Sequence, residues 1–168
     1  MPDLIIAISY FFHMLATVIW VGGVAVMALI VYPGSRRALG DDPLRGALIS
    51  ELSRRFSPLA MISLATLVVT GLAQMAVNPN YDGFLKIETA WAWAILLKHI
   101  AFGAMALVGA YSAWGVSPAI ARLALLESKG KLSGDELASL RKREERLNQL
   151  NFVCALVVLM FTAVARSV

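Results

Sequence analysis

The stretch LIIAISYFFHMLATVIWVGGVAVMALIV, residues 4–31, contains no Asp, Glu, Lys or Arg and a single imidazole, His13. A helix rises about 1.5 Å per residue and needs about 20 apolar residues to cross a hydrocarbon core about 30 Å thick. Residues 4–31 exceed that length and read as a membrane span. Three later blocks, residues 58–77, 90–116 and 150–165, have the same character. The fold expected is an all-α integral membrane protein, a four-transmembrane-helix bundle. With its connectors this single membrane domain takes up residues 1–168 and leaves no room for a soluble domain.

Composition supports the membrane class. Hydrophobic residues make up 59% of the chain and charged residues 15%, and mean hydropathy is +0.72, with the apolar residues in long blocks rather than dispersed. The opening "MPDL" lacks a basic n-region and no small-residue cleavage site interrupts the first block, so the block reads as a retained helix and not a signal peptide. The single cysteine, Cys154, lies in the fourth block, which excludes a disulfide within one chain.

The net charge of +4 sorts by connector. Residues 34–57 carry Arg36, Arg37, Arg45, Arg54 and Arg55 against Asp41, Asp42 and Glu51. The connector after the third block carries Arg122, Lys129, Lys131, Arg141, Lys142, Arg143 and Arg146 against five acids, whereas residues 78–89 have only Lys86 against Asp82 and Glu88. By the positive-inside rule the first and third connectors are cytoplasmic and both termini extracytoplasmic, in the cell (cytoplasmic) membrane. The basic excess sets orientation and touches lipid headgroups; nucleic acid is not an expected partner.

Helix punctuation follows the same layout. Pro33-Gly34 is expected to end the first helix, Ser57-Pro58 to cap and start the second, and Asn78-Pro79-Asn80 to stop it. Thr89 suits the N-cap of the third helix, and Ser117-Pro118 is expected to interrupt it before the amphipathic AIARLALLESKG. Ser133 and Glu136 stand in capping-box spacing at the start of a charged helix running into the fourth span, which predicts a cytoplasmic helical hairpin between helices 3 and 4. Tyr81, Phe84, Trp91 and Trp93 would form the outer aromatic belt and Tyr32 and Trp114 the inner one, while Trp20, near mid-span, needs a packing or functional reason.

An ionisable residue inside a span is a functional candidate by default. His13 lies nine residues past Leu4 and His99 nine past Ala90, each about 14 Å down a helix running inward. Both therefore fall in the outer half of the bilayer. Stepping from His99 by threes and fours gives Gly103, Ala106, Ala110 and Ala113, a small-residue stripe that would pack against a neighbour and point His99 into the bundle. Thr70 and Gln74 share one face of the second helix in the same layer and suit hydrogen bonds that fix an imidazole or hold a ligand's polar edge. Lys98, about 100° round the helix from His99, is expected on a different face, either snorkelling toward the Trp91 and Trp93 belt or supplying a positive charge.

Two neutral imidazoles at one depth suit axial ligation of haem b for electron transfer or redox chemistry. They suit copper equally, with thioether help from Met14, Met75 or Met105. A third reading leaves both histidines hydrogen-bonded and metal-free in a structural subunit of a membrane complex. The chain has no nucleotide-binding glycine loop, HExxH, CxxC or CxxCH.

The successive segments HMLATVIWVGGVAVMALIVYPGSRRAL, RRFSPLAMISLATLVVTGLAQ and ILLKHIAFGAMALVGAYS resemble the helices of the CopD copper-resistance membrane domain. The shared features are a histidine followed by Trp-x-Gly-Gly, then Arg-Phe-Ser, Thr-Gly-Leu and Leu-Leu-Lys, in that order. More distantly the pattern is similar to the HemJ-type protoporphyrinogen oxidase, a haem-binding four-helix membrane protein. The resemblance implies that His13 is a ligand and that Lys98 matters. Where the HemJ pattern has His-x-Lys on the third helix, this chain has Lys98-His99, a departure that weighs against porphyrinogen oxidation. The partners expected are the lipid bilayer, a redox partner or membrane complex, and a second copy in a homo-oligomer.

Overall fold

The computed structural model describes residues 2–40, 42–83, 86–129 and 134–168. Asp41, Phe84, Lys131 and Ser133, named above for charge, belt and cap, lie outside them. Among the described residues all regular structure is helical: α1 (Pro2–Val26), α2 (Tyr32–Leu39), α3 (Pro43–Ala76), α4 (Ala90–Tyr111), α5 (Ser117–Ser128) and α6 (Gly134–Ser167). A π-helical turn, Met27–Val31, joins α1 to α2, and another, Ser112–Val116, joins α4 to α5. Four continuous helical stretches result, each long and apolar enough to cross a membrane.

Three of the expected helix breaks are not breaks. At Pro33 and Pro118 the helix passes through a π turn, in which the N–H of Tyr32 reaches Met27 O and that of Ser117 reaches Ser112 O. Proline lacks an N–H and its ring crowds the carbonyl four residues back. A wider turn just before the ring absorbs that conflict and lets the helix continue. The first stretch instead ends at Gly40, whose φ of 55° terminates α2. Likewise Ser57-Pro58 does not start a helix: α3 begins at Pro43, capped by the Asp42 carboxylate accepting from Leu44 N at 2.8 Å, and Pro58 lies inside it. The Thr89 cap occurs as read, its hydroxyl accepting from Ala92 N at 3.1 Å. The second span also stops as read, α3 closing at Ala76 just before Asn78-Pro79-Asn80.

The four stretches pack as two antiparallel pairs, α1 with α3 and α4 with α6. Within the first pair Gly23 lets the backbone approach Phe56, whose ring occupies the place a Cβ would take. Such close approach through small residues is how helices associate in lipid, where no hydrophobic force drives them together. The pairs meet mainly at the end bearing the basic connectors: α6 touches α1 and the Met27–Val31 π turn there, and Asn148 Nδ2 donates to Val24 O at 3.5 Å. The core is built on Ala16, Trp20, Leu64, Met105 and Ala155. α5 packs on the first turns of α6 through Ile120, Leu123 and Leu137. At the opposite end the pairs leave a cleft between them.

Aromatic placement differs from a simple belt. Trp93 and Trp114 are exposed, as belt residues should be, but Trp91 and Tyr32 are buried. Trp20 finds its reason: 2% exposed, it donates its indole N–H to Met105 Sδ at 3.1 Å.

Candidate functional site

The cleft between the helix pairs has a volume of about 550 Å³. α1 contributes His13 to its wall, α3 contributes Gln74, α4 contributes Lys98 and His99, and α6 contributes Arg166. The three thioethers singled out from sequence, Met14, Met75 and Met105, line it too. Thr70 stands directly behind His13.

Hydrogen bonds fix which nitrogen each imidazole offers. Thr70 is buried in α3 and its hydroxyl donates to Thr66 O at 2.6 Å, so its only proton is committed. The 2.8 Å contact between His13 Nδ1 and Thr70 Oγ1 must then have Nδ1–H as donor. Nε2 is left with its lone pair. His99 reaches the same state by another route, since its Nδ1 lies 2.7 Å from Ile95 O, a group that can only accept. Both rings are thereby held as the Nδ1–H tautomer, the form in which Nε2 coordinates a metal.

The surroundings of His13 are ordered from α3. Gln74 Nε2 donates to Ser9 O at 3.2 Å, and Ser9 Oγ donates to Thr70 O at 3.4 Å, tying the first turns of α1 to the last turns of α3. On that side a Cβ at Gly71 would stand 3.4 Å from His13 Cε1, at ordinary van der Waals contact.

Two expectations about α4 are corrected. The fully buried residues of this helix are Trp91, Ala94 and Met105, and of the small-residue stripe Ala106 packs against the core whereas Gly103 stands open. A Cβ on Gly103 would meet nothing within 4 Å, so that stripe is not a tight helix contact there. His99 accordingly is exposed on the cleft wall and not enclosed in the bundle. Lys98 and His99, expected on separate faces, both line the cleft because the opening is wider than one helix face.

Arg166, Tyr10 and Ser9 were not anticipated. Arg166 stacks over the Tyr10 ring with its Cζ 5.8 Å from the centroid. The sequence clue was its position as the lone basic residue at the end of the fourth apolar block. With Lys98 it makes a cleft that holds two cationic side chains and no carboxylate among its described lining residues.

The donor set can be tested against copper. Among the described residues no three His, Cys, Asp or Glu side chains cluster as a metal site. Two imidazoles and three thioethers line the cleft instead, and of these the thioether is the ligand type that favours Cu(I). No curated protein and no solved structure matches the chain. The family model for copper resistance protein D does, over residues 50–165, which take in most of α3, all of α4 and α5, and all but the last two residues of α6. That match spans more than half of the 168 residues, and the chain belongs to the copper resistance protein D (CopD) family.

Proposed function

We propose that this protein handles copper in the membrane and that the cleft between its helix pairs holds Cu(I) as cargo. The observation that carries the reading is the tautomer lock: Thr70 and the Ile95 carbonyl each hold an Nδ1–H, so that His13 and His99 both present an Nε2 lone pair on the cleft wall. Met14 and Met75 supply thioethers at the same cleft, and Met105 lies at its inner limit against Trp20. Thioether matches the softness of Cu(I), and imidazole is a borderline ligand that copper also accepts. The absence of a carboxylate among the described lining residues weighs against harder divalent ions.

The membrane arrangement belongs to this proposal. Residues 1–168 form one domain with both termini extracytoplasmic, so the cleft opens in the outer half of the bilayer. The charged start of α6 and the amphipathic α5 form a cytoplasmic hairpin. The connector charges support this orientation.

A second reading, haem b, is favoured by one feature of the same cleft. A volume of about 550 Å³ is within the range of cofactor pockets, and Lys98 and Arg166 could pair with two propionates while His13 and His99 hold the iron. Bound there, haem would supply one-electron chemistry. This chain's own residues would position it, with Thr70 and Ile95 setting the imidazole tautomers.

Metal content and the absorption spectrum of the purified protein discriminate. Colourless protein with close to one equivalent of copper, lost in His13→Ala, supports the first reading. A Soret band lost in both histidine variants would replace it with the second. Protein that holds neither group would reduce both histidines to structural hydrogen-bonding residues.

A further inference from the structure

A second, smaller cavity of about 80 Å³ lies where the two helix pairs meet, at the end bearing the basic connectors. Its lining is polar for a site inside a helix bundle: Tyr32, Ser53, Ser117, Glu144, Asn148 and Asn151 all contribute. Both π-helical turns border it, through Met27 on one side and Ser112 on the other. Such turns recur at functional positions because they swing side chains out of helical register.

Two of its polar groups are incompletely satisfied. Asn151 is 6% exposed, and its Oδ1 has no hydrogen-bond partner. Glu144, equally buried, accepts only a long bond of 3.3 Å from Ser117 Oγ and has no ion-pair partner among the described residues. A water needs about 10–15 Å³ of such space and two to four polar partners. The cavity meets both conditions for several waters.

We propose that Glu144 is the proton-binding group of this hydrated inner cavity. A proton arrives on a cavity water, one carboxylate oxygen takes it, and the water is left neutral; release reverses the step. The polar groups on the wall are hydroxyls, amides and a single carboxylate, beside the thioethers of Met27 and Met61. The charges near Glu144 disfavour a metal cation. From its own helix Arg141 acts on it as the positive neighbour, while Glu145 is held by Arg45 of α3 at 3.5 Å. From α2 comes the neutral Tyr32 phenol, and from α5 only the Ser117 hydroxyl. Burial holds the Glu144 carboxyl above its ordinary value, against the opposing effects of the Ser117 hydrogen bond and Arg141. The buried Trp20–Met105 contact stands between this cavity and the outer cleft, Trp20 lining the first and Met105 the second. The proton site therefore does not depend on the copper reading.

Infrared difference spectroscopy of the purified full chain, metal-free, against pH tests it. The expected signal is a carboxylic C=O band that grows on acidification with a midpoint above 4.5, the ordinary glutamate value. It should shift down in D₂O and vanish in Glu144→Gln. Ser117→Ala, which removes the one hydrogen bond to the carboxylate, should move the midpoint higher still. If Glu144→Gln fails to fold, the Ser117→Ala shift decides alone. A band that survives Glu144→Gln, an unmoved midpoint in Ser117→Ala, or a band displaced by sodium or potassium at constant pH would each overturn the assignment, the last in favour of a metal-cation site.

Discussion

At the residue scale, Thr70 does more for His13 than hold it in place. Because its hydroxyl proton goes to Thr66 O, Thr70 can only accept from the ring, and this chooses the tautomer. Thr70→Val keeps the shape and removes the acceptor. Copper affinity should fall about 10- to 100-fold, the usual cost of losing a ligand's outer hydrogen-bond partner. Folded stability should drop by about 1 kcal/mol, the net value of a typical hydrogen bond. A Cu(I) competition titration and a thermal melt in detergent measure the two separately. Glu144 gives a second residue-scale prediction. Its folded-state pKa is raised mainly by burial, so between the ordinary value of 4.5 and the raised one the native state carries a proton that the unfolded state has lost. This contribution to stability is fully present below 4.5 and is lost as pH rises through the raised value. Melts across that window should show stability falling with rising pH in the parent and flattening in Glu144→Gln.

Elements show where the sequence could and could not be read. The caps that sit at true chain exits, Thr89 and Asn78-Pro79-Asn80, were legible because local hydrogen bonding and proline chemistry suffice there. Pro33, Pro58 and Pro118 misled because a proline marks a backbone conflict without saying how it is resolved. At Pro33 and Pro118 a π turn resolved it, and the helix ran on. The Gly103 end of the small-residue stripe on α4 failed for a related reason. A small-residue stripe marks packing only where a neighbour is present, and beside Gly103 there is none within 4 Å of a Cβ position. Gly23 and Gly22 test the packing of α1 on α3 as a pair. Gly23→Ala would drive a methyl into the Phe56 ring and should cost about 1–3 kcal/mol, as overpacking does. Gly22→Ala meets nothing within 4 Å and should leave the melt nearly unchanged.

On the scale of the whole molecule, the membrane class and the four spans were plain from apolar block length alone. The splay of the bundle into two pairs was not, because it depends on which faces meet and no single helix records that. The convergence of His13 and His99 on one cleft was legible as equal depth; Arg166, arriving from the far end of the chain, was not. The orientation inferred from connector charge predicts that a cysteine at Asp82 is labelled by an impermeant thiol reagent in intact cells, whereas one at Ser128 is labelled only after permeabilisation. The reverse pattern would place the cleft in the inner half of the bilayer. If two tautomer-locked histidines on different helix pairs hold Cu(I) together, competition against a chromophoric Cu(I) chelator reads both contributions. Across the parent, His13→Ala, His99→Ala and the double variant, each single change should lower affinity at least tenfold and the double variant should lose little more than either one, as two ligands of one ion should. Parent-like affinity in either single variant, with the fold intact, would contradict this shared ligation.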